Sequence, residues 1–471
     1  MINKIRNNTI WLLFSQGISI IVSLLLSLIL ARHLGPRDNG IYNYANSIVG
    51  IFAIFVDFGM STVLIRDIAR NTNLVKKYLD NLISLKIIIG LIILTLIFIS
   101  SFFVKKYDNM SYIMIFLGLY NILSGFYLLF TGVFRSHNKM IYESFNTVII
   151  KILLLIFGII ALYYYRSILI YSEVLFATMF IGIIISIFII RKYFSKFSFS
   201  INKEFWIYML KEIWPYGLSS IIVTVYFTID QVILGSLKPI TQVGYYALAR
   251  SATGVVTSVI GILIGVLFPS LSFLYKKNIS EFTDLLNNAI KFMCILLIIF
   301  VAEMLINSKG YVLTIFGNKY YNSILPLQIL SVATGLIFIN ALIGNAFGAI
   351  DRQKDLLWGL FFSMLINVIL NFILIPYYGA SGAASASIFT ELFIGSYSYI
   401  ILKRGFELKL LKYLKFPILA GLLSMIIMYL LSSMNVYLIS IIGLLVYFIV
   451  LIIAKDISIE FIKENLNLKK K

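Results

Sequence analysis

Stretches of about 20 consecutive apolar residues recur along almost the whole chain, and that repetition constrains the fold more than any motif does. An α-helix rises about 1.5 Å per residue, so such a run crosses a hydrocarbon core of about 30 Å. Helices are required there because an unpaired backbone amide or carbonyl is too costly in lipid, and no segment alternates like a membrane β-barrel strand. Of 471 residues, 61% are apolar and 13% charged, against about 25% charge in a soluble domain. The expected class is an all-α integral membrane protein. The first run is too long for a cleaved leader, lacks a small-x-small site and leads at once into further spans, so it is read as retained. The one cysteine, Cys294, sits inside an apolar run and excludes an internal disulfide framework.

Fourteen spans are expected, near 9–31, 41–64, 82–104, 111–134, 146–163, 168–190, 213–235, 244–270, 289–307, 323–350, 356–376, 382–402, 413–432 and 435–454. The connection from span six to span seven, RKYFSKFSFSINKEFW, interleaves basic and aromatic residues and predicts an amphipathic segment at the membrane surface. With the N-terminus in the cytoplasm, inner segments hold Lys4, Arg6, Arg66, Arg70, Lys76, Lys77, Arg135, Lys139, Arg191, Lys192, Lys196 and, further on, Lys403, Arg404 and Lys469 to Lys471. Outer loops hold Arg32, Arg37, Lys105, Lys106, Arg166, Lys238, Lys309 and Lys319. Roughly 30 cations inside against 8 outside place both termini in the cytoplasm. The formal charge of +19 is thus a topology signal and an attraction to anionic lipid; a nucleic-acid partner is not expected, since no basic domain stands outside the membrane.

The chain contains an internal repeat. LGPRDNGIYNYA (34–45) follows span one, and LKPITQVGYYALA (237–249) follows span seven. Both carry Leu-x-Pro, a polar stretch, a glycine, then Tyr and Ala entering the next helix. Arg135 and Lys139 after span four are echoed by Arg352 and Lys354 after span ten. An offset of six spans gives two six-helix repeats of the same orientation plus two C-terminal helices. The expected domains are an N-lobe (1–190), an amphipathic cytoplasmic linker (191–212), a C-lobe (213–402) and a last pair of spans with a basic tail (403–471).

LGPRDNGIYNYA, followed by VDFGMSTVLIRDIA, resembles the opening of the Wzx-type polysaccharide flippases, of O-antigen or teichuronic type. They belong to the multidrug/oligosaccharidyl-lipid/polysaccharide (MOP) exporter superfamily, with the MATE transporters and the lipid II flippases. The resemblance extends over essentially the whole chain. It implies MATE-like lobes and a flippase moving undecaprenyl-diphosphate-linked oligosaccharides, with lipid and other polysaccharide assembly proteins as partners.

Polar stripes are legible from the residues alone. Gln16, Ser19, Ser23 and Ser27 share one face of span one, and Asn46, Gly50, Ala53, Asp57 and Ser61 one face of span two. Spans seven and eight, which the repeat makes equivalent, carry Ser220, Thr224, Thr228 and Gln231, and Arg250, Thr253, Thr257, Gly261 and Gly265. Such stripes are either helix packing or the wall of a hydrated cavity. Ionisable groups inside spans cost about 2.5–3.5 kcal/mol each unless paired or hydrated. Asp230 and Arg250 stand at comparable depth on consecutive helices and are expected to approach, as a static pair or as one that opens when a diphosphate competes for the arginine fork. GYYALAR, ending at Arg250, is similar to a Tyr-Tyr-Ala-x-x-Arg run of lipid II flippases.

Asp57, Asp230 and Glu391 are the candidates for ion coupling, since a carboxyl held away from water can bind and release a proton; H⁺ or Na⁺ antiport is what the related transporters imply. The candidate substrate-binding residues are Arg250, Lys151, Arg32, Gln16, Asn46 and Thr257. Lys86 and Lys151 lie about a turn from cytoplasmic ends and are expected to snorkel, Lys151 being the better site candidate of the two, and Glu303 is expected to be solvated at an outer boundary. His33 and His137 are too few and too far apart for a metal site, and spans thirteen and fourteen are expected to face lipid. Three functions compete: a polyprenyl-diphosphate-glycan flippase, a MATE-like exporter of organic cations, and a membrane glycosyltransferase or polymerase. Arg250 argues against the second and short outer loops argue against the third, so no enzyme activity is expected. No Walker glycine loop is present, so ATP is not expected to drive the chain directly, and no cofactor beyond H⁺ or Na⁺ as coupling ion is expected.

Overall fold

The computed structural model describes residues 2–104, 107, 109–454 and 456. The tail Lys469–Lys471, the side chains of Lys4 and Arg6, and Lys105 and Lys106 lie outside the described residues. The helices are α1 (Ile2–Asp57), α2 (Met60–Arg70), α3 (Val75–Phe103), α4 (Met110–Ser136), α5 (Met140–Ile159), α6 (Ile168–Tyr193), α7 (Lys203–Leu237), α8 (Ile240–Lys277), α9 (Ile279–Tyr311), α10 (Ile324–Ala349), α11 (Gln353–Lys403), α12 (Leu410–Leu430) and α13 (Val436–Ile453). No strand occurs among the described residues. Asparagine opens several helices: the Asn202 and Asn435 side chains accept from the Phe205 and Tyr437 amides at 3.0 and 2.9 Å.

Twelve helices among the described residues are long and apolar enough to cross a membrane, against fourteen expected spans. The difference lies in the two longest, each of which folds back on itself. In α11, Gly379 has φ 55 and ψ −129. The Tyr397 hydroxyl then reaches the Asp355 carbonyl at 3.2 Å, although 42 residues of straight helix would separate them by about 63 Å. In α1, Gly35 has φ 83 and ψ −177, and Pro36 follows it. Asn8 donates to the Asn138 carbonyl at 2.8 Å, just past the end of α4, while Val56 packs on Gly125 of α4. Both arms of α1 therefore lie along the same helix.

Packing divides the chain into two compact units, Met1–Ala247 and Leu248–Lys471. The first holds a core of Met60, Leu64, Leu79, Phe130, Phe134 and Met209. Within it the two copies of the repeated turn meet. A Cβ on Gly40 would lie 2.1 Å from the Ile240 carbonyl oxygen, and one on Gly244 1.9 Å from that of Pro36. Asn39 donates to the Gly244 carbonyl at 3.3 Å, Tyr44 bonds Ser236 at 3.0 Å and Ser47 bonds Gln231 at 3.1 Å. Each repeat glycine thus receives the backbone of the other copy's turn. The second unit is built on Leu271, Phe282, Leu286, Met293, Leu342 and Phe347. Its α12 and α13 leave Leu422, Ile426, Ile441 and Leu445 exposed, yet they are tied by polar contacts at 2.8 Å: Tyr447 of α13 donates to the Ile295 carbonyl of α9, and Ser424 of α12 to the Gly443 carbonyl of α13.

Between α6 and α7 the linker runs from 195 to 202 as a strap that is neither helix nor strand. Backbone outside a helix leaves amides to satisfy, and the buried polar end of α3 satisfies three of them. The Ser198 amide donates to Asp80 Oδ1 at 2.6 Å, that of Ser200 to Ser84 Oγ at 3.2 Å, and that of Asn202 to Asn81 Oδ1 at 3.1 Å. Asp80→Ala is expected to release the strap, read as tryptic cleavage at Lys196 several times faster than in the unaltered protein. Unchanged cleavage would show that these bonds do not hold it.

Candidate functional site

Asp57 is the last helical residue of α1. Phe58 (φ 43) and Gly59 (φ 87) then turn the chain through two left-handed residues before α2 begins. For a phenylalanine that conformation costs about 1–2 kcal/mol. The turn seats against α7, where a Cβ on Gly217 would lie 2.2 Å from the Phe58 ring. This break aims Asp57 at α3. Lys86, with no exposed surface, places its ammonium 2.5 Å from Asp57 Oδ1 and 2.8 Å from the Gly125 carbonyl, and Ser61 donates to the same Asp57 oxygen at 2.5 Å. The expectation that Lys86 snorkels is therefore corrected: an acceptor pair inside the bundle outcompetes the interface. Further along α2, Arg66 pairs with Asp67 at 2.7 Å and with Glu212 of α7 at 2.8 Å.

Asp230 is buried; it accepts the Gln231 amide at 2.8 Å and the Tyr246 hydroxyl. Arg250 is half-buried on α8 and belongs to the second unit. Lys151 is half-buried on α5, one turn beyond Thr147, whose hydroxyl bonds Tyr127 at 2.8 Å; among the described residues Lys151 makes no hydrogen bond or ion pair. Arg32, Gln16 and Asn46 are exposed.

The stripes behave alike in both units. Their hydroxyls bond their own helix, Ser19 to the Ser15 carbonyl at 2.9 Å, Thr228 to Thr224 at 2.7 Å and Thr257 to Gly254 at 2.8 Å. A Cβ built on Gly17, Gly50, Gly254, Gly261 or Gly265 would meet nothing within 4 Å. Packing glycines look different: at Gly125 and Gly182 a Cβ would come within 2.4 and 2.3 Å of Val56 and Ile150.

In the second unit Glu391 is buried and accepts from Asn340 at 2.7 Å, while Asn367 of the same α11 hairpin donates to Thr390 at 3.3 Å. Glu303, expected in solvent, is buried instead and accepts from Tyr311 at 2.6 Å and Asn307 at 2.9 Å. The i+4 and i+8 spacing of those donors on α9 was the signal for it. Lys86 had only the weaker signal of a cation in a span facing an acid in the preceding one.

Long apolar helices, glycine-hinged hairpins and polar stripes on open faces define a multi-pass membrane protein with the architecture of a transporter. The model of the polysaccharide biosynthesis protein family matches residues 5–275, more than half of the chain, and the chain belongs to that family. A putative O-antigen transporter of Escherichia coli (strain K12) is 21% identical over 399 residues, covering 83% of this chain and 95% of its own. An uncharacterized membrane protein of Methanocaldococcus jannaschii is 23% identical, over 88% of this chain and 87% of its own. Among solved structures, the lipid II flippase MurJ in an inward closed conformation matches with a TM-score of 0.75 at 16% identity, over 95% of this chain and 99% of that one. An inward-facing multidrug resistance MATE transporter matches with 0.66 at 18%, over 82% and 95%. Fold and family together make this a membrane transporter of the flippase kind in polysaccharide biosynthesis.

Proposed function

We propose that the chain translocates undecaprenyl-diphosphate-linked oligosaccharide units from the inner to the outer leaflet of a bacterial cytoplasmic membrane. It works by alternating access, is coupled to an H⁺ or Na⁺ gradient, and has both termini in the cytoplasm. The observation that carries this reading is the open polar stripe: Gly17, Gly50, Gly254, Gly261 and Gly265 face empty space on helices whose length requires lipid around them. A hydrated path suits a sugar headgroup, while the polyprenyl tail stays in lipid. Arg250 and Lys151 are the cations for the diphosphate, since a planar guanidinium grips phosphate oxygens bidentately and stays charged. Gln16, Asn46 and Thr257 meet sugar hydroxyls, and Arg32 stands where cargo leaves. Asp230 holds Arg250 between cycles, and Glu391 takes up the coupling ion. Because Asp57 shares its charge with Lys86, a proton on Asp57 would free that ammonium, which makes the pair the second coupling candidate.

Translocation of a fluorescent undecaprenyl-diphosphate oligosaccharide in reconstituted vesicles, followed by quenching from outside, tests the proposal. Gradient-sensitive movement is expected, falling at least tenfold in Arg250→Ala. A MATE-like exporter is the second reading, favoured by the MATE likeness of the fold. Movement of an organic cation with none of any lipid-linked glycan would establish that reading and overturn the first.

A further inference from the structure

At the end of the first unit where Asn8 meets Asn138, Lys77, Lys139, Arg191, Lys192 and Lys196 make no ion pair among the described residues. Neighbouring arginines do: Arg66 is held by Asp67 and Glu212, and Arg135 by Glu143 at 2.6 Å. Four of the five cations lie over aromatic rings instead. Lys139 is 5.4 Å from the Phe194 ring centre, Arg191 5.1 Å from Phe197, Lys192 5.2 Å from Tyr193, and Lys77 5.4 Å from Phe205. A ring face attracts a cation without neutralising it, so the charge stays available to an anion.

The strap supplies the apolar half of the surface. Its amides at 198, 200 and 202 are held by α3, while the Phe199 and Ile201 side chains stay uncovered. Phe199 is 74% exposed and Ile201 68% exposed, on either side of Ser200. Exposed Phe188 and Tyr193 on the last turns of α6 extend the same rim. Apolar side chains that project outward beside unpaired cations, at the end of a membrane-spanning helix, match the two layers of a leaflet: acyl chains and phosphates.

We propose that the strap and its stacked cations form a docking surface for anionic phospholipid, with Phe199 and Ile201 seated in the leaflet and Arg191, Lys192 and Lys196 on the headgroup phosphates. The occupant is a lipid, because the cations are spread along an open edge that gives a free anion no enclosed site. Only the assignment to the inner leaflet rests on the topology proposed above; the surface itself does not depend on the cargo.

The test uses the full-length protein in nanodiscs of mixed phosphatidylglycerol and phosphatidylcholine, with the retained lipids counted by native mass spectrometry. Phosphatidylglycerol is expected to be retained preferentially. Each cation removed should weaken its retention about fivefold, so that Arg191→Gln/Lys192→Gln/Lys196→Gln retains both lipids alike. Phe199→Ser/Ile201→Ser should lower retention of both lipids. Equal retention by the unaltered protein, or an unchanged preference in the triple variant, would overturn the proposal. So would displacement of the lipid by millimolar inorganic phosphate, which would indicate a free-anion site. Salt gives a readout that needs no variant: retention by the unaltered protein should fall steeply toward 1 M salt, and salt-insensitive retention would also overturn it.

Discussion

Lys86→Met is expected to destabilise the first unit by about 2–3 kcal/mol, the low end of the cost of breaking a buried pair, because Asp57 keeps 21% of its side chain exposed. The cost comes from what remains. Asp57 stays fixed at the end of α1 by the left-handed turn at Phe58 and Gly59, still accepting Ser61, but with no counter-charge. The Gly125 carbonyl, which has a second acceptor role toward Lys86, loses it. Removing both charges should cost much less, since a buried pair replaced by uncharged groups of similar volume is close to neutral. The prediction is therefore a cycle: Lys86→Met unfolds at a much lower temperature in detergent, Asp57→Asn less so, and the double variant recovers most of the loss. Additive losses would mean that the two groups do not act as a pair. The cycle also bears on transport. If the pair takes part in coupling, the folded double variant should translocate cargo without responding to a gradient.

Much of the architecture can be read from segment lengths alone, because lipid permits so few alternatives. The hairpins at Gly35 and Gly379 fall between expected spans, since a helix twice as long as the bilayer must turn back and glycine adopts the positive φ that the turn uses. The repeat was legible because the turns of both copies need Leu-x-Pro and a glycine. What the sequence left hidden is partnership over distance. Lys86 sits near a helix end, where lysines ordinarily snorkel, and its acid is 29 residues away, aimed by a turn that no residue pattern announces. Glu303 looked like an interface carboxylate although both donors lie on its own helix face. Basic and aromatic alternation at 191–202 signalled a membrane surface, but the strap's path depends on Asp80, Asn81 and Ser84, more than a hundred residues earlier.

Gly244→Ala and Gly40→Ala should each be strongly damaging for a single added methyl. At either position the new carbon would fall about 2 Å from a carbonyl oxygen, against the 3.0 Å below which something must shift. The obstacle is backbone, that of Pro36 for Gly244 and of Ile240 for Gly40, so no rotamer change relieves it. The turns must separate, and separation breaks the bonds they share: Asn39 to the Gly244 carbonyl, Tyr44 to Ser236, and Ser47 to Gln231. Overpacking of this kind costs about 1–3 kcal/mol and occasionally more, with each lost hydrogen bond adding about 1 kcal/mol. Little folded protein is expected from Gly244→Ala or Gly40→Ala, measured as monodisperse material in size-exclusion chromatography of a fluorescent fusion. Gly50→Ala and Gly261→Ala, whose methyls would point into open space, should be recovered like the unaltered protein. If all four behave alike, the turns do not meet as described. If only the open-face pair is harmless, those two variants become clean probes of the proposed cargo passage, since each adds a methyl to an open face without disturbing the fold.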